Sequence, residues 1–145
     1  MAVDKEFSEL KEWLIIFVKH KDIFHKKIKN ISEDGHIVIV EQKDTNQYFA
    51  ILPNLEKSST DQFLEKYKDQ QLCFVVFNTK NNLDVVIKNW QKFSKLPMLS
   101  IYFVNPNSNT DKRWIIYPFT HSKITESSAL KLGLQTLFES VDEYK

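Results

Sequence analysis

Six consecutive apolar residues, Leu72-Cys73-Phe74-Val75-Val76-Phe77, run into the polar turn Asn78-Thr79-Lys80 and then into a helix-patterned stretch. A strand with no polar residue on either face must be covered on both, so it belongs at the centre of a sheet rather than at its edge. The class of fold expected is α/β, with a mixed central sheet flanked by helices. At 145 residues the chain is expected to be one domain, long enough to bury a sizeable core.

The remaining elements are read from periodicity. Phe7, Leu10, Leu14, Phe17, Phe24, Ile28 and Ile31 recur at helical steps, which predicts a long first helix over about Lys5 to Asn30, ended by Ser32-Glu33-Asp34-Gly35. A hairpin follows, His36–Val40 and Gln47–Leu52, joined at Lys43-Asp44-Thr45-Asn46 and stopped by Pro53. A short helix spans about Thr60 to Asp69, with Ser59 and Gln62 as a capping box. After the central strand, Asn82 caps a helix over Leu83 to about Ser94, followed by strands Leu99–Val104 and Arg113–Tyr117 and a last helix over about Glu126 to Val141. The expected order is α-β-β-α-β-α-β-β-α.

Composition removes several functions. Two glycines, Gly35 and Gly133, cannot build a phosphate-binding Gly-rich loop. Cys73 stands alone, which excludes an intrachain disulfide framework and a cysteine zinc site; within an apolar strand it reads as a small buried hydrophobe. His20 and His25 are five apart and share no metal-binding helical face. His121 follows a strand without a carboxylate partner in sight and reads as a turn residue. The net charge of +1 gives no global field toward nucleic acid or an anionic membrane, so any such partner must be met by a local patch. Arg113 is the only arginine, which disfavours bidentate reading of bases and leaves lysine contact with phosphates. No apolar run approaches the roughly 18 residues of a membrane span, and residues 1–6 carry no secretory core. A cytoplasmic location and no membrane partner are the expectations.

A long helix, a hairpin leading to a buried central strand, then a crossover helix and another strand resembles the restriction-endonuclease-like fold of the PD-(D/E)xK nuclease superfamily. The resemblance covers about residues 5–104, with 113–141 as an added strand and helix, and implies a right-handed parallel crossover between Leu72 and Val104. It also implies a site where two carboxylates hold Mg²⁺ and a lysine positions the attacking water. Carried onto this chain, the Pro-Asp element falls on Pro53-Asn54 and Glu-x-Lys on Asn78-Thr79-Lys80, so only Lys80 survives. Amides are poor ligands for a hard cation. The expectation is therefore no bound metal and no cofactor, Mg²⁺ entering only if Glu41, Glu56 or Asp84 replaces the lost carboxylates. Against this stands a plainer account of Asn78-Thr79-Lys80-Asn81-Asn82, as turn and cap residues before a helix.

Two lysine groups remain. Lys19, Lys21, Lys26, Lys27 and Lys29 crowd the end of the first helix, where its dipole favours cations. Lys88, Lys92 and Lys95, with Lys80 at the start, form a stripe on the polar side of the Leu83–Ser94 helix and are the candidate nucleic-acid contacts. The functional expectation is a catalytically inactive nuclease-like domain acting in nucleic-acid or protein interaction. The alternatives are an active Mg²⁺-dependent endonuclease with relocated carboxylates, or an assembly module that forms a homodimer through an exposed edge such as Arg113–Tyr117.

Overall fold

Strands β1 (Ile28–Asp34), β2 (Ile37–Gln42), β3 (Asn46–Ile51), β4 (Gln71–Phe77), β5 (Ser100–Val104) and β6 (Arg113–Ile116) form one sheet whose spatial order is the sequence order. The structure is a computed structural model that describes residues 2–57 and 60–145. The first three strands are an antiparallel meander, β3, β4 and β5 are parallel, and β6 returns antiparallel to β5. Helix α1 (Ala2–Lys21) precedes the sheet. A 3-10 turn at Leu55–Lys57 and α2 (Thr60–Lys66) link β3 to β4, while α3 (Lys80–Lys88) and α4 (Trp90–Phe93) link β4 to β5. Helices α5 (Pro118–Ile124) and α6 (Ser127–Glu139) follow β6.

The apolar run at the centre of the chain is the central parallel strand, as its composition requires. Alternate residues serve opposite faces. Leu72, Phe74 and Val76 pack in a cluster with Leu64 of α2, Leu83 and Val86 of α3, Phe93 of α4 and Leu134 and Phe138 of α6. Cys73, Val75 and Phe77 face the other way, against Leu10, Leu14 and Val18, spaced by four along α1. The result is three layers, with α1 on one face of the sheet and the later helices on the other. Both crossovers step the same way across the sheet and place their helices on the same face, the arrangement two like-handed crossovers give.

The first helix is shorter than the sequence predicts. It ends at Lys21, and Ile28–Asp34 is an edge strand, so the order is α-β-β-β-α-β-α-α-β-β-α-α. The Asp22 carboxylate accepts hydrogen bonds from the backbone N–H of Lys27 and Ile28 at 2.8 and 3.1 Å, and Lys26 adopts φ 50°, a left-handed conformation that no helix continues through. A bulge explains the false period. Ile28 pairs with Gln42 but Asn30 with Glu41, leaving Lys29 as an extra residue. The bulge puts Ile28 and Ile31 on one face of a strand at a spacing of three, which mimics a helix. Gly35, at φ 59°, opens the two-residue turn between Asp34 and Ile37.

Other boundaries shift for local reasons. Thr79 caps α3, its Oγ1 accepting from Asn82 N at 3.2 Å, so the helix starts at Lys80 and Asn82 lies inside it. Asn89 splits the expected single helix, donating from both its backbone N and its Nδ2 to Val85 O. His121 sits in a helix, α5, with Pro118 at its start, and not in a turn. The capping box proposed at Ser59 lies outside the described residues.

Candidate functional site

In open α/β sheets, ligands bind beyond the carboxyl ends of the parallel strands. Here that edge is built from amides and filled by the chain itself. Asn78, directly after β4, is fully buried. Its Oδ1 accepts from Trp114 Nε1 at 2.8 Å, and its Nδ2 donates to the carbonyls of Phe138, Val141 and Asp142 at 3.3, 3.0 and 3.2 Å. Its backbone N–H reaches Val104 O, and its carbonyl accepts from Tyr144 N. Asn105, after β5, donates from Nδ2 to the same Asp142 carbonyl at 3.0 Å. The segment after α6 is thereby strapped across the strand ends, and the Tyr144 ring stacks on Phe77 at 3.7 Å and 11°.

A second buried amide completes the edge. Asn82 Oδ1 accepts from Leu55 N at 2.9 Å, while its Nδ2 donates to Pro53 O and Phe77 O at 3.0 and 2.9 Å. The structure thus ties Pro53–Leu55 to Phe77–Asn82. The side chains there are occupied by the fold. Asn54 Oδ1 accepts from Glu56 N at 3.0 Å, an Asx-type turn.

Of the three replacement carboxylates, Glu41 lies far from Lys80. Glu41 pairs across from Asn46, at the amino end of β3. In this register it lies eight residues before Asn78, about 26 Å away at ~3.3 Å per residue. Glu56, beside the Leu55–Asn82 tie, and Asp84, one turn beyond Lys80 on α3, are both exposed. The carboxylate that reaches this helix start is Glu143, whose Oε2 accepts from Lys80 N at 3.1 Å and complements the positive end of the α3 dipole. Among the described residues, no group of three or more His, Cys, Asp or Glu is placed to hold a metal ion. Sequence reasoning missed Glu143, Tyr144, Trp114 and Asn105 because their partners lie tens of residues away; the density of Asn at strand ends was the one available signal.

The lysine stripe is partly neutralised. Lys80, Lys88, Lys92 and Lys95 are all exposed, but Lys92 Nζ sits 2.7 Å from Asp61 Oδ1. Because the helix breaks at Asn89, Lys88 lies on α3, Lys92 on α4 and Lys95 beyond both.

At the opposite, amino edge of the parallel strands, two adjoining cavities of about 300 and 350 Å³ share Lys21, Gln47, Phe49 and Tyr102. Burial and the nearby Cys73 and Tyr117 push the Tyr102 phenol above its ordinary range, with Arg113 opposing. Cys73 lines the second cavity, and burial pushes its thiol from 9.0 up to about 12. It is a packed side chain rather than a nucleophile. A thiol reagent at neutral pH should leave the folded protein unmodified and label it once denaturant is added. Because the folded pKa is raised, the folded state keeps the proton where the unfolded chain has lost it. Stability should therefore fall as pH rises from about 9 toward 12, by up to ~1.4 kcal/mol per pH unit from this thiol. Chemical denaturation at pH 8 and above measures the slope, and Cys73→Ala should flatten it.

His121 is set by burial too. Its pKa is lowered, its Nε2 is buried without a hydrogen-bond partner, and its ring meets Trp90 edge-on at 5.9 Å. Among the described residues, no carboxylate is hydrogen-bonded to it.

No helix among the described residues is long and apolar enough to cross a membrane. No protein-family model matches the chain, and no curated protein and no solved structure matches it either.

Proposed function

We propose that the protein is a catalytically inactive, nuclease-like interaction domain that contacts nucleic-acid backbone through lysines, without a metal. One observation carries the reading. The carboxyl edge, where a nuclease of the resembled type would hold Mg²⁺ and phosphate, is sealed by Asn78, Asn82 and Asn105 and by the strap at residues 141–144. Lys80, Lys88 and Lys95 lie outside the sealed edge, exposed, and among the described residues they form no ion pair. Such a surface suits sequence-tolerant contact with phosphates.

The purified protein should leave plasmid intact in Mg²⁺ or Mn²⁺ and retain DNA or RNA in a salt-sensitive manner. Lys88→Gln with Lys95→Gln should weaken retention about five- to tenfold and flatten its salt dependence. Asp61→Asn offers a sharper check: it releases Lys92 from its ion pair and should strengthen retention about two- to threefold. Plasmid cleavage abolished by Lys80→Ala would instead establish the relocated-carboxylate nuclease. The homodimer alternative draws on β6 being an outermost strand, with backbone groups on one side open to pairing. A dimer on sizing with no retained nucleic acid would favour it.

A further inference from the structure

The corner where α1 meets β1 exposes apolar side chains that the core does not use. Ile16 is 68% exposed, Ile23 54% and Phe24 92%. Ile16 lies on the exposed side of α1, and Ile23 and Phe24 lie in the turn that follows the helix. The buried side chains of α1, Leu14 and Val18, point the other way, into the sheet. The loop has a defined shape: Asp22 holds the N–H groups of Lys27 and Ile28, and Lys26 turns the chain at φ 50°. Phe24 is thus displayed at the tip of a braced turn.

The loop end of this ridge is cationic, with Glu12 one turn before Ile16. Lys19, Lys21, Lys26, Lys27 and Lys29 are exposed and, among the described residues, form no ion pair. The one acid between residues 19 and 30 is Asp22, and both its oxygens accept from backbone. The nearby β2–β3 turn adds Lys43 and Asp44, which offset each other. The cavity of about 300 Å³ behind the loop has Lys21, Asp22, His25 and Lys27 in its lining, beside apolar residues such as Phe17 and Phe49.

We propose that this corner docks on an anionic lipid leaflet, with Ile16, Ile23 and Phe24 entering the headgroup–acyl boundary and the lysines meeting acidic headgroups. Charge complementarity alone would suit nucleic acid equally. The aliphatic side chains decide between them, since isoleucine offers no ring for a base to stack on but partitions readily into acyl chains. The expectation of no membrane partner rests on the lack of a spanning segment, and a surface-lying contact needs none. The inference is independent of the lysine stripe on α3 and α4.

The test is sedimentation of the full chain with phosphatidylcholine vesicles, with and without phosphatidylserine. The protein should sediment with the phosphatidylserine vesicles alone, and less at high salt. Ile23→Ser with Phe24→Ser should weaken this about tenfold or more while thermal unfolding is unchanged, because neither side chain packs in the core. Lys26→Glu with Lys27→Glu should do the same, and Phe24→Trp should show blue-shifted emission on those vesicles only. Three results would overturn the proposal: no sedimentation, sedimentation indifferent to the serine substitutions, or displacement by a single-stranded oligonucleotide that the serine variant binds just as well.

Discussion

Aspartate in place of Asn78 is expected to destabilise the protein by about 4 kcal/mol, and Mg²⁺ is expected not to restore it. The substitution returns to this position the acid that the nuclease resemblance would place there. In the structure the side chain faces three carbonyls, those of Phe138, Val141 and Asp142, which need donors. A carboxylate would present an oxygen to all three while buried. The introduced acid would keep its proton, its pKa raised by burial. A pKa raised in the folded state contributes stability below the unfolded value of about 3.9 and loses it as pH rises. The variant should therefore be more stable at pH 4 than at pH 7, measured against the unsubstituted protein at each pH. Urea unfolding with and without Mg²⁺ gives the answer. A variant as stable as the original, or one stabilised by the metal, would show that the crevice can open to a cation.

Asn82→Ala carries the second large effect, about 2–4 kcal/mol and roughly 10 °C in Tm. One side chain satisfies Leu55 N, Pro53 O and Phe77 O, two of these bonds being buried. Alanine leaves the buried Leu55 N and the part-buried Pro53 O without this partner, while Phe77 O keeps Thr79 N; losing one end of a bond is more harmful than deleting both. It also unties the link that holds the 3-10 turn against the first turn of α3. Hydrogen exchange should report this locally, with Leu55 losing protection ahead of the β4 amides. Equal loss across the sheet would mean that Asn82 supports the whole core rather than this edge.

The two sites show how differently local and distant constraints are written in a chain. The centre of the sheet was legible because two-sided burial leaves its mark on every residue from Leu72 to Phe77. The apolar faces at Leu10-Leu14 and Leu83-Val86 were legible for the same reason, since period and face are local properties, although the α1 face continues to Val18 and not to Phe24. Edge strand β1 was not. Its bulge gave Ile28 and Ile31 a spacing of three, and only pairing with β2 reveals the strand. Helix α5 was hidden by brevity, seven residues after a proline. At the candidate site, the partners of Asn78 and Lys80 were not legible. Asn78 meets Val141 across 63 residues, and Glu143 meets Lys80 across the same separation.

The sequence by itself determined the α/β class, the central strand and the apolar helical faces at Leu10-Leu14 and Leu83-Val86 that cover it, because each follows from residue type and short-range period. The tertiary structure decided that the strand-end amides act as internal ties, that the segment after α6 closes the carboxyl edge, and that Ile16, Ile23 and Phe24 stand outside the core. Hydrogen-bond satisfaction and exposure depend on what the rest of the chain brings alongside a residue, and no local pattern records that.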